Sequence, residues 1–299
     1  MATVWLNCNT DTLLKNDISK MVEDDTITGV MIDLSKYKSN VDSSKNRYHN
    51  IEIEDLQNAC DILIDKYDDG EDGFVACSID PRVAKDSKKI INEAKQLFEA
   101  VNRENFMISI PATVEGIEAM SKLSTKVINI CATHVFSPNQ ASQSVEALTN
   151  LERGSEGIVR VDVAAFDELL NVPLATNNLS KDRIGFFNAI KIYNQIAQIK
   201  VPYVNTKVCF SNMDVFQTWL EPSYYVEQLN LENAILDLSK DVIDYISENE
   251  VNEAFEFQTK HIDAFLGYLT YANVSLQATY EELLQKSLQK DIDAFEKLI

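Results

Sequence analysis

A set of small polar and ionisable residues recurs at one kind of place in this chain, near the C-terminal ends of short apolar runs: Asn7, Asp33, Ser78, Ser109, Cys131, Thr133 and Asn205. Period-two alternation puts all of them on the same face of their runs. A core face would favour Val, Ile and Leu. Two readings stay open for the polar set, a wet pocket whose amides and hydroxyls hold a ligand, and an interior whose polar groups satisfy one another. Asp33 is the carboxylate of the group, able to act as a general base if desolvated, or to pair with Arg160 and Lys207. His134 follows Thr133, so alternation points it away from that face, toward the helices or the mouth. Its titration range makes it a candidate for proton transfer, with Asp162 as another, although a hydrogen-bonded packing histidine is the commoner case. Cys131 has no histidine placed to activate it and reads as a small buried hydrophobe. Lys207 falls close to the end of its run, where a solvated loop lysine is the usual reading; burial that lowered its pKa would make it a reactive amine instead.

These residues need elements to hold them. Eight apolar runs read as strands, at 3–6, 28–34, 73–79, 106–111, 127–134, 157–163, 202–210 and 234–239. Stretches such as 80–102 and 181–199 carry apolar residues at three-four spacing, the stripe of a helix that covers one face of a sheet. Asp80-Pro81 and Ser137-Pro138 each place a capping side chain before a proline at the first helical position. Thr113 is a third cap, with Glu115 in the following turn. Alternation of strands and helices, with strands apolar enough to be buried on both faces, predicts an α/β protein built as a single (β/α)8 TIM barrel over residues 1–299, with two additional C-terminal helices within 253–299. A doubly wound open sheet is the alternative. No GxGxxG or GxxxxGK[ST] is present to cradle a nucleotide, and no cofactor is expected.

The formal net charge of −20, from 47 acidic and 27 basic residues, disfavours nucleic acid as a partner. Three separated histidines and five scattered cysteines show neither metal-ligand spacing nor a disulfide framework. No apolar run of membrane-spanning length and no secretory signal occurs, so a cytoplasmic location is expected. A homo-oligomer is compatible with this composition.

At FMISIPATVEGIEAM (106–120) and INICATHVFSPNQASQSVEAL (128–148) the chain resembles the transaldolase family. The resemblance runs through VWLNCNTDTLL, TGVMIDL, IEDLQNACDILIDKYDDGEDGFVACSIDPRVA, IVRVD, NAIKIYNQIA, YVEQLNLENAILDLS and AFEKLI, and implies the same barrel. It further implies a Schiff-base lysine on the fourth strand, with acidic residues on the first and third strands moving protons. Here those three positions are Ser109, Asn7 and Ser78. The second-strand Thr-Ser-Asn-Pro is Met31-Ile32-Asp33-Leu34, and the fifth-strand asparagine is Cys131. A hydroxyl cannot form an iminium, and serine and asparagine do not titrate near neutral pH. The resemblance carries Thr133 over as the hydroxyl beside the reacting water, and Arg160 with Ser155 as holders of a substrate phosphate, a task suited to the guanidinium fork. Asn205 and Lys207 would join that anion site, with Asp33, Thr133 and His134 left for chemistry. Two functions follow as expectations. One is a divergent enzyme acting non-covalently on a small anionic or phosphorylated carbonyl compound. The other is a catalytically silent relative that binds a sugar phosphate or a protein partner.

Overall fold

The computed structural model describes residues 3–10, 13–38, 47–149, 155–163, 184–199, 206–211, 234–248 and 273–298. Eight strands form a closed parallel barrel: β1 (Thr3–Cys8), β2 (Gly29–Ile32), β3 (Val75–Ser78), β4 (Phe106–Pro111), β5 (Asn129–Val135), β6 (Gly157–Asp162), β7 (Thr206–Ser211) and β8 (Ala234–Leu238). β1 pairs with both β2 and β8, which closes the ring. All eight expected strands are present, and the open-sheet alternative is excluded.

The helices are α1 (Ile18–Glu23), α2 (Ile53–Asp68), α3 (Ser87–Val101), α4 (Val114–Leu123), α5 (Pro138–Leu148), α6 (Ile184–Ala197), α7 (Lys240–Glu248) and α8 (Asn273–Glu296). In α3 the buried residues Ile90, Ala94, Leu97 and Val101 repeat at four-three-four spacing, which turns one stripe onto the sheet. Full burial of each of its large aliphatic side chains contributes about 1.5–3 kcal/mol relative to exposure. Asp80-Pro81 opens only a short 3-10 turn, Pro81–Val83, and Asp86 caps α3 by accepting from the Lys88 and Lys89 amides. The caps read at Thr113 and Ser137 are both formed, the second as a full capping box with Gln140. Of the two helices expected in 253–299, the described part is α8; residues 249–272 lie outside the described set.

Apolar residues divide into two bodies. One packs the outer faces of the strands against the helices. The other fills the lumen with Trp5, Met31, Phe74, Ala76, Met107, Cys131, Ile158, Cys209 and Ile235. Gly29 is required at the floor because a Cβ there would collide with the Trp5 indole. Around that indole a polar plug closes the N-terminal end: Trp5 Nε1 donates to Asp72, Lys207 Nζ pairs with Asp72 at 2.8 Å and with Glu156 at 3.4 Å, and Thr28 also donates to Asp72.

This floor corrects one expectation. Lys207 pairs in register with Ile158, the second residue of β6, and so lies at the N-terminal end of the barrel. It is an ion-paired plug residue and reaches neither the mouth nor a loop.

Candidate active site

The C-terminal mouth holds a small pocket of about 20 Å³, walled by Met31, Asp33, Ser78, Ser109, Thr133, His134, Arg160, Leu288 and Asp291 together with Ile79, Pro81 and Pro111. Strand alternation delivers most of this wall: Met31 and Asp33 from the end of β2, Ser78 from β3, Ser109 from β4, Thr133 from β5 and Arg160 from β6. Leu288 and Asp291 come from α8, which crosses the mouth.

Asp33 is buried and fully engaged. Its Oδ1 accepts from the Ser35 amide (3.0 Å) and hydroxyl (2.7 Å), and Lys36 Nζ lies 3.2 Å from Oδ2. Burial alone would raise its pKa, but Lys36, the Ser35 hydroxyl, Arg160 and His134 together hold the carboxyl well below the usual range. It is therefore ionised at neutral pH, held by Ser35 and Lys36, and a weak proton acceptor. It also pairs with Lys36, whereas Arg160 and Lys207 each have a different carboxylate.

Arg160 is 5 % exposed and aimed along the lumen, where its Nε donates to Asp237 Oδ2 at 2.7 Å and Nη2 lies 2.5 Å away. Burial opposes its charge, and Asp237 more than restores it. Asp237, the inward residue of β8 two past Ile235, is absent from the candidates above although the alternation of AILDL displays it.

Ser109 is completely buried and donates to the Met31 sulfur at 3.5 Å. Ser78 accepts the Leu34 amide at 2.9 Å. Asn7, half-buried, pairs in register with Met31 on the lumenal face of β1. Cys131 is buried beside Ser109, and burial pushes its thiol up to about 12, so it is a protonated packing group. Asp162 ends β6 on the inward phase and is buried.

His134 departs from simple alternation. Its backbone is left-handed, φ 56°, and the β5–β6 register slips between Ala132 and Val135. The bulge turns two successive side chains, Thr133 and His134, into the same pocket. His134 Nδ1 lies 3.2 Å from Thr133 Oγ1, and Nε2 lies 2.9 Å from Asp291 Oδ2. Asp291 is 157 residues away in the chain, and nothing local in the sequence points to it.

Of the three described residues assigned to an anion site, Arg160 is the one that lines the mouth pocket. Ser155 precedes β6 at the floor end, five residues from Arg160 and so about 16 Å along the strand. Lys207 is in the floor plug, and Asn205 lies outside the described residues.

Among the described residues, one group could offer three ligand atoms to a metal ion, His49, Asp80 and Glu93, outside the barrel. Both Asp80 oxygens there already accept from the Arg82 guanidinium. Among the described residues no helix is long and apolar enough to cross a membrane.

The family model described as Transaldolase/Fructose-6-phosphate aldolase matches residues 10–299. The chain belongs to this family. A transaldolase of Helicobacter pylori (strain ATCC 700392 / 26695) is 29% identical over 99% of this chain and 98% of its own length. A transaldolase of Campylobacter jejuni (strain RM1221) is 32% identical over 67% of this chain and 65% of its own. Among solved structures, a tamarind chitinase-like lectin is similar at a TM-score of 0.44 and 10% identity, over 84% of this chain and 100% of that one, too distant to bear on function.

Proposed function

We propose that this transaldolase-family barrel works without a Schiff base, as an enzyme that acts non-covalently on a small anionic or phosphorylated carbonyl compound at its mouth. One observation carries the reading: among the described residues, no lysine lines the mouth pocket. Lys36 is held against Asp33 and Lys207 is held at the floor. Burial disfavours the Lys207 ammonium, but Asp72 and Glu156 raise its pKa above the ordinary value, so the amine stays protonated. An amine that cannot shed its proton cannot condense with a ketone. Proton transfer then falls to His134, and the cationic end of the ligand site to Arg160. The second reading, a silent binder of a sugar phosphate, is favoured by the Arg160–Asp237 pair, because part of the arginine's charge is already answered inside the protein.

Treating the protein with fructose 6-phosphate and borohydride and following intact mass should give no adduct; a reduced adduct would overturn the proposal. A phosphorylated ketone should raise the thermal midpoint, and Arg160→Lys should abolish that rise. Lysine keeps a positive charge for Asp237 but loses the bidentate fork. An unchanged rise in Arg160→Lys would remove Arg160 from the site.

A further inference from the structure

We propose that Thr133, His134 and Asp291 form a proton relay that removes a hydrogen from the carbon beside a carbonyl, so that the mouth interconverts a small α-hydroxy ketone and its enediol. This rests on the reading of the mouth as a site for small anionic carbonyl compounds and names the reaction performed there.

The proton inventory of the relay follows from its partners. An ionised carboxylate only accepts, so the 2.9 Å contact with Asp291 places the ring hydrogen on Nε2. In the neutral imidazole Nδ1 then carries the lone pair, and the Thr133 hydroxyl 3.2 Å away is placed to donate to it. Other polar groups of the wall are differently occupied: Asp33 accepts from Ser35 and faces Lys36, Ser78 accepts the Leu34 amide, and Ser109 donates to the Met31 sulfur. Two further observations point the same way. His134 is a non-glycine residue in the left-handed region, a local cost that persists where the surroundings hold it in place. And Thr133 with His134, neighbours that a regular strand would send to opposite faces, are brought by the bulge into one pocket.

In the step itself the carbon–hydrogen bond next to the carbonyl breaks and its proton passes to His134 Nδ1. The electron pair becomes the carbon–carbon double bond of an enediolate, and negative charge moves to the former carbonyl oxygen. The Thr133 hydroxyl, rotated away from Nδ1, donates to that oxygen, and the Arg160 guanidinium in the same wall stabilises its charge. Protonated Nδ1 then returns the proton to the neighbouring carbon or to the oxygen, so no oxidant or co-reactant is consumed. His134 and Thr133 are the catalytic residues; Asp291 is a positioning residue that fixes the ring tautomer.

The experiment uses the full chain with dihydroxyacetone phosphate in deuterium oxide. Proton NMR follows loss of the hydroxymethyl signals, and a thermal-shift titration measures binding separately. The wild type should exchange. His134→Asn, chosen because asparagine tolerates the left-handed backbone, should slow exchange about 10²–10⁴-fold with binding retained. Thr133→Val should do the same to a smaller degree, and Asp291→Asn should lower the rate at saturating ketone with the dissociation constant unchanged. Binding without exchange overturns the relay and leaves the proposed site standing. Exchange undiminished in His134→Asn overturns the assignment to His134. Failure of the probe to bind overturns the proposed function and the relay with it.

Discussion

Arg160 and Asp237 meet inside the lumen with 5 % and 0 % exposure, and removing either one strands a buried charge. Such pairs contribute little net stability against an apolar replacement, but breaking one side costs about 3–5 kcal/mol. Asp237→Ala should therefore lower the urea-unfolding free energy by about that amount; a loss under 1 kcal/mol would mean that water reaches the guanidinium. Both halves of this pair lie on inward positions that alternation displays, Arg160 in IVRVD and Asp237 in AILDL. What alternation could not display was that they point at each other. Their strands are separated in the sheet by β7, and the two side chains meet across it inside the lumen.

At the scale of elements, α8 decides what the mouth is. It supplies Leu288 and Asp291 to the pocket, and it is anchored beyond them by Phe295, fully buried with the His49 ring 5.2 Å from its centroid and the Arg82 guanidinium 5.1 Å away. Phe295→Ala removes that anchor, and by the usual cost of emptying an aromatic site should destabilise the protein by about 3–5 kcal/mol. Hydrogen exchange should show faster amide exchange along α8 than along α3 in this variant; equal rates would show that the His134–Asp291 contact alone seats the helix. An amphipathic C-terminal helix was legible from the sequence. Packing on the barrel or across its mouth was expected as well; which of the two, and against which residues, was not legible, because a helix stripe states that a face is covered and not by what.

For the whole molecule, the barrel is polar at both ends and apolar between them. The floor plug gives a pH signature. The folded pKa of Lys207 is raised, so its stabilising contribution is complete below the unfolded lysine value of about 10.4 and is lost as pH rises through the higher folded value. The pKa of Glu156 is also raised, by burial, so its contribution likewise falls with rising pH, but that fall begins near the unfolded value of about 4.3 and lies far from the alkaline window. The stability difference between wild type and Lys207→Met should be constant from pH 7 to 10 and shrink above it, read from urea midpoints. A difference independent of pH up to 11.5 would show that Lys207 holds the floor by packing rather than charge. Asp33 adds a second limb of opposite direction: its pKa is lowered, so its contribution is present above the unfolded value of about 3.9 and disappears only in stronger acid.

Read alone, the sequence determined the number of barrel strands, the caps at Thr113 and Ser137, and the inward polar set of Asn7, Ser78, Ser109, Cys131 and Thr133, because each depends on periodicity or on chemistry within a few residues. Only the tertiary structure decided the rest. Lys207 and Ser155 sit at the floor because the starts of β7 and β6 are set by pairing with their neighbours. His134 faces the mouth, one of its two expected directions, because a bulge turns it there, and Asp291 meets it because a helix far along the chain crosses the mouth. Strand register, bulges and long-range closure are set by partners on other segments, and no local pattern encodes them.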